Sequence, residues 1–217
     1  MKLTPQDHVI LRNFVGINKS LIFRKGDTVA TVSLLNTVLA KAKLSTSFEQ
    51  DVPIYDLAQF LSALSLFEDP DITLEDKYLT ISSGKNRIKY YYADVSLIKA
   101  PPAKDIQFPE AVVEFDLNST DIQRLFKALG VMSVPHITIN GDGEKIRFST
   151  EDVSNPTSPR FDIEVGETDR VFKAIISADN FKLLPGDYKV RLSSKGISNF
   201  TSDVVNYYIA VDEKSSF

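Results

Sequence analysis

The chain has 217 residues, of which 43% are hydrophobic and 25% charged, with 9 glycines and 10 prolines scattered along it, so it carries apolar surface for a packed core and is neither disordered nor fibrous. The absence of cysteine excludes disulfides, thiolate zinc sites, iron–sulfur clusters and cysteine nucleophiles, and leaves His8 and His136 as the only imidazoles. The net charge of −4 divides unevenly, with 13 basic and 12 acidic groups in residues 1–108 against 12 and 17 in 109–217, so neither half is a basic nucleic-acid-binding domain on net charge.

In chain order, Thr4-Pro5 offers an N-cap and a proline at the first helical position, and Ile10, Phe14 and Ile17 recur at helical spacing. Leu21 to Phe23 and Thr28 to Val32 then flank Arg24-Lys25-Gly26-Asp27 and read as a hairpin. A second helix is expected after Asp56, with Leu57, Phe60, Leu61 and Leu64 inward, followed by strands Tyr78 to Ile81 and Ile88 to Tyr92 around a glycine turn. Ser96 to Asp105, with Pro101-Pro102, reads as an extended linker.

The same order returns in the second half. Ser119 is the expected cap of a helix bearing Ile122, Leu125, Phe126 and Leu129. His136 to Ile139 and Lys145 to Phe148 flank a second glycine turn. Ser177 is the expected cap of a fourth helix carrying Phe181 and Leu184 and stopping at Pro185. Tyr188 to Leu192 and Val204 to Val211 close the half as strands. The reading is therefore α+β: two similar domains, 1–95 and 109–217, joined by a connector at 96–108, each an antiparallel sheet with two helices on one face. Matching sheet edges in a duplicated chain favour edge-to-edge assembly.

Chemical motifs are sparse. Walker, GxSxG, HExxH and EF-hand patterns are absent, so no catalytic residue, metal site or cofactor is expected. The pairs Asp69/Asp71, Glu75/Asp76 and Glu151/Asp152 could serve a carboxylate-dependent hydrolase, but they stand beside turn residues and read as solvated groups. His8 and His136 lack a third ligand nearby and read as exposed structural residues. Sequons at Asn18, Asn118 and Asn199 are discounted, since Met1 to Asp7 lacks a signal-peptide core, and no apolar run approaches the ~20 residues of a membrane span; a soluble protein is expected.

Several further residues carry a resemblance. Leu11 to Asn18, Ile54 to Leu61, Leu184 to Val190 and Asn206 to Val211, in this order and spacing, resemble the DNA polymerase sliding clamps of T-even-type bacteriophages, from residue 1 to Phe217. The chain departs most from that pattern at 149–165. The resemblance implies a closed homotrimeric ring with twelve helices around a hole, opened on primed DNA by an ATP-driven clamp loader. It also implies docking of the replicative polymerase by its C-terminal tail and a link to late transcription factors, all in the host bacterial cytoplasm. On that reading Arg12, Lys19, Arg124, Lys127 and Lys182 face the duplex in the hole, where they would touch phosphates without reading bases; otherwise they form a solvated face. Leu97, Ile98, Ile106, Phe108, Tyr207 and Ile209 are the candidates for a partner-peptide pocket, or else fill a core. A monomeric polymerase accessory factor of the same fold is the alternative.

Overall fold

The computed structural model describes residues 1–102 and 106–217, so residues 103–105 of the expected connector lie outside the described residues. The chain divides into two compact units, Met1–Ala103 and Lys104–Phe217.

Unit 1 opens with helix α1 (Pro5–Val15) and strands β1 (Leu21–Phe23), β2 (Gly26–Val32), β3 (Val38–Phe48) and β4 (Val52–Ile54). Helix α2 (Leu57–Leu64) and strands β5 (Asp71–Leu74), β6 (Tyr78–Ser83) and β7 (Asn86–Tyr91) follow, then a 3-10 turn at Val95–Leu97. The expected hairpin of β1 with β2 does not form. β1 pairs with β4 (Leu21 opposite Ile54), and β2 pairs with β3, a strand overlooked in the sequence. The signal was there: Ala40, Ala42, Leu44, Thr46 and Phe48 point inward while Lys43, Ser45 and Ser47 alternate outward, the period of two that a half-buried strand requires. β5, β6 and β7 form an antiparallel sheet with β5 and β7 as its outer strands.

α1 is fastened by its first turn. The Thr4 hydroxyl accepts from the Asp7 N–H (3.2 Å), and the Asp7 carboxylate accepts from the Thr4 N–H (2.9 Å), a reciprocal capping box. Asp7 is fully buried and also accepts from the Ser45 N–H (2.7 Å) and the Thr46 hydroxyl (2.8 Å), which pins the helix to β3. Burial alone would raise the Asp7 carboxyl, but these hydrogen bonds hold it below its ordinary range. Asp7→Ala is therefore expected to cost about 2–4 kcal/mol, because the cap is lost and buried donors are orphaned. A lowered native pKa contributes stability that is present above the unfolded carboxyl value of ~3.9 and lost as pH falls through the native one. Denaturant melts of Asp7→Asn and wild type should converge as pH drops below about 4; a constant gap across that range would refute the role.

Unit 2 holds β8 (Val113–Leu117), α3 (Ser119–Met132), β9 (His136–Asp142), β10 (Lys145–Glu151), β11 (Phe161–Glu167) and β12 (Val171–Ser177). A 3-10 turn at Ala178–Asn180 precedes β13 (Tyr188–Ser193), β14 (Ile197–Thr201) and β15 (Val205–Ala210). One sheet runs β11-β10-β9-β12, and β8, β13, β14 and β15 pair in that order, all antiparallel. The core between them is aromatic: Phe148 and Phe200 each meet Phe181, at ring separations of 5.9 and 5.6 Å.

Two expectations are corrected here. α3 is capped by Asn118, one residue earlier than expected, whose side-chain oxygen accepts from the Asp121 N–H at 2.9 Å. The fourth helix is absent: after Ser177, which makes no capping bond, there is only the 3-10 turn. The run is cut short by Pro185, and the residue before a proline avoids helical backbone. The Leu184 N–H donates to the Tyr207 hydroxyl (3.1 Å) and its carbonyl accepts from the Tyr188 hydroxyl (2.8 Å), so tyrosines satisfy what helical turns would have. Phe181 and Leu184 are buried as expected, without a helix. Three α-helices thus stand among the described residues, not four.

Candidate nucleic-acid interface and partner pocket

In unit 1, α1 buries Asp7, Ile10, Leu11 and Phe14, which leaves Arg12 exposed in its last turn. Lys19 lies beyond the helix; its side chain is exposed, and its carbonyl accepts from the Leu57 N–H (2.7 Å) at the start of α2. His8 is half-buried instead of exposed as expected, and burial first, then the Arg12 charge, lower its pKa. The Asn18 sequon is closed off: Asn18 is buried, and its amide donates to the Val32 (2.9 Å) and Lys99 (3.0 Å) carbonyls.

In unit 2, α3 buries Asp121, Ile122 and Leu125, and Arg124 and Lys127 stand on its exposed side. Arg124 pairs with Asp121 at 3.3 Å, which offsets part of its charge. Both cations line a groove of about 690 Å³ between α3 and β11, together with Val131, Met132 and Ile163 and the carboxylates of Asp162 and Glu164. Lys182 follows the 3-10 turn instead of riding on a helix, and its side chain is exposed. The rings of Phe126 on α3 and Phe181, the residue before Lys182, meet at 5.5 Å.

The pocket candidates separate by burial. Leu97, in the 3-10 turn of unit 1, is 65% exposed, whereas the adjacent Ile98 is buried. In unit 2, Ile106 and Phe108 are half-buried, but Tyr207 and Ile209 are 0% exposed and belong to the core. Burial drives the Tyr207 hydroxyl far above its ordinary pKa. Neither Tyr207 nor Ile209 can meet a ligand on the surface. The residue of β15 beside Phe108 is Tyr208, one position along and on the opposite face, with rings 6.4 Å apart. Arg191, held by the Asn199 side-chain oxygen at 2.6 Å, stacks its guanidinium over Phe108 at 4.7 Å. Sequence reading missed Tyr208 and Arg191; the alternation of Val205, Tyr207 and Ile209 against Asn206, Tyr208 and Ala210 was the available signal.

The acidic pairs divide as well. Asp69, Asp71, Glu75 and Asp76 are exposed. Glu151 is not a solvated turn residue: it is buried at the end of β10, accepts from the Thr138 hydroxyl (2.7 Å), and pairs with Lys173 and Arg160, each at 3.3 Å. A carboxylate saturated by two cations and a hydroxyl holds strands together. Among the described residues no group of three or more His, Cys, Asp or Glu is placed to hold a metal ion.

Two α+β units of antiparallel sheet with few helices define the sliding-clamp fold. The chain matches a solved structure described as the C-terminal region of FEN-1 bound to A. fulgidus PCNA, with a TM-score of 0.70 and 14% identity over 96% of each chain, a likeness of fold. The family model described as DNA polymerase processivity factor matches residues 8–100, and that described as gp45 sliding clamp, C terminal, matches residues 114–213. The sliding clamp of Escherichia phage RB69 is 32% identical across 100% of this chain and 99% of its own length, and that of Vibrio phage KVP40 is 30% identical across 98% and 99%. The chain belongs to the phage sliding-clamp family of DNA polymerase processivity factors, which are not enzymes.

Proposed function

We propose that three copies close head to tail into a ring that encircles duplex DNA and tethers the replicative polymerase by its C-terminal tail in the host bacterial cytoplasm. An ATP-driven clamp loader opens the ring on primed DNA, and the same DNA-bound ring serves late transcription. The observation that carries this reading is the match along the whole chain to sliding clamps of two phages. With a net charge of −4 on each chain, the assembled ring repels DNA in bulk, so retention is topological and any attraction is local to cations such as Arg12, Lys19, Arg124, Lys127 and Lys182.

The sheet edges support head-to-tail closure. β7 of unit 1 ends its sheet and presents Arg87 and Lys89 on one face with Ile88 and Tyr90 on the other. β11 of unit 2 ends its own sheet and presents Asp162 and Glu164, partly offset by Arg160 (2.7 Å) and Lys145 (3.5 Å), with Phe161 and Ile163 alternating between them. A basic edge and an acidic edge on one chain are complementary between copies and repulsive between like edges, which selects a heterologous contact. Light scattering is expected to give a mass of three chains. Arg87→Glu with Lys89→Glu should dissociate the ring, and adding Asp162→Lys with Glu164→Lys should restore it. A wild-type mass of one or two chains at all concentrations would refute the trimer.

A further inference from the structure

β12 ends the β11-β10-β9-β12 sheet on the side opposite β11. A strand in that place turns the N–H and C=O of alternate residues outward, where they can recruit another strand. In β12 the outward groups of Lys173 and Ile175 are all taken by the segment that follows β15. The Lys173 N–H donates to the Ser216 carbonyl (2.9 Å), and the Ser216 N–H donates to the Lys173 carbonyl (2.8 Å). The Ile175 N–H donates to the Ser215 hydroxyl (2.9 Å), and the Asp212 N–H donates to the Ile175 carbonyl (2.8 Å). Phe217 then stacks on Phe172, with ring centres 6.4 Å apart and planes 4° from parallel. Phe172 in turn lies over Gly141 of β9, where any Cβ would run into its ring, so the glycine makes room for the stack. Six residues therefore combine two ladder bonds, two side-chain or turn bonds and a ring stack along one strand.

We propose that the segment Asp212–Phe217 guards the β12 edge, so that of the two ends of this sheet only β11 is offered to a second copy. The inference rests on the reading of β11 as an assembling edge. With β12 open beside β7 and β11, a chain would offer one pairing edge more than a head-to-tail ring uses, and assembly would branch instead of closing. The guard turns an open-ended association into one that can close.

The test is deletion of residues 214–217 from the otherwise full chain, with two readouts against wild type. Hydrogen exchange at the Lys173 and Ile175 amides is expected to accelerate about tenfold or more in dilute protein. Mass by light scattering is expected to climb beyond the wild-type value as concentration rises, and Val171→Lys on the deletion background, which places a charge on the exposed start of the edge, should bring it back. If the deletion unfolds unit 2, seen as lost protection at Ile139 in central β9, Ser216→Pro carries the same two readouts, since it removes one ladder donor without shortening the chain. Unchanged exchange at both amides, or faster exchange with wild-type mass at every concentration, overturns the proposal. Because each readout is a difference from wild type, a wild type that is not trimeric would sink the ring reading without touching this comparison.

Discussion

Replacing Arg12, Arg124 and Lys127 together by Glu is expected to lower processive synthesis on primed circular DNA, with loader and polymerase present, by about tenfold or more at low salt, the deficit narrowing as salt rises. All three side chains are exposed, and none belongs to a buried helical stripe, so the fold should persist. Among the interactions lost is the Arg124 pair with Asp121, an i,i+3 contact between an exposed guanidinium and a buried carboxylate, worth about 1 kcal/mol. Asp121 keeps its bonds to Asn118, so the α3 cap survives the substitution. Each phosphate contact removed flattens the log–log salt dependence by about 0.9. The Asp162 and Glu164 carboxylates across the α3 groove make a competing outcome concrete: if Arg124 and Lys127 serve the contact between copies, the triple variant loses the ring, and mass measurement separates this from a loss of DNA contact. An intact ring as active as wild type at every salt concentration would show the three cations to be a solvated face.

The second large effect contrasts neighbouring tyrosines. Tyr207→Ala is expected to cost about 3–5 kcal/mol, because a fully buried aromatic is removed and the Leu184 N–H loses its acceptor. Tyr207→Phe, which keeps the volume, should cost about 1 kcal/mol. Tyr208→Ala should leave stability within about 0.5–1 kcal/mol of wild type, yet with Ile106→Ala it should abolish capture of a polymerase-tail peptide while the ring persists. Thermal melts and peptide titrations on the same samples decide this. Undiminished peptide binding by the Ile106/Tyr208 pair would move the pocket elsewhere, and a stable Tyr207→Ala would contradict the packing of β15.

The two tyrosines also mark how far the sequence could be read. Local signals were legible because their physics is local. Thr4-Pro5 and Asp56 start α1 and α2 as their capping chemistry requires, and the glycine turns at Gly84 and Gly143, both at positive φ, close β6–β7 and β9–β10. The α+β class and the family were accessible for the same reason, since the order of such signals repeats along the chain. What the sequence left open was non-local. Leu21 to Phe23 could pair with the strand nearest in sequence, but Val52 to Ile54 takes that edge. Residues 178–184 carry helical spacing, yet the hydroxyls of Tyr188 and Tyr207, supplied by strands later in the chain, take the backbone groups a helix would have used. Glu151 reads as a turn carboxylate until Lys173 and Arg160 are brought to it by strand pairing. Capping boxes and turns involve neighbours along the chain and are settled by a few residues; strand partners, the face a tyrosine occupies and the charge beside a carboxylate depend on which distant segments share a sheet, and only the packed structure decides that.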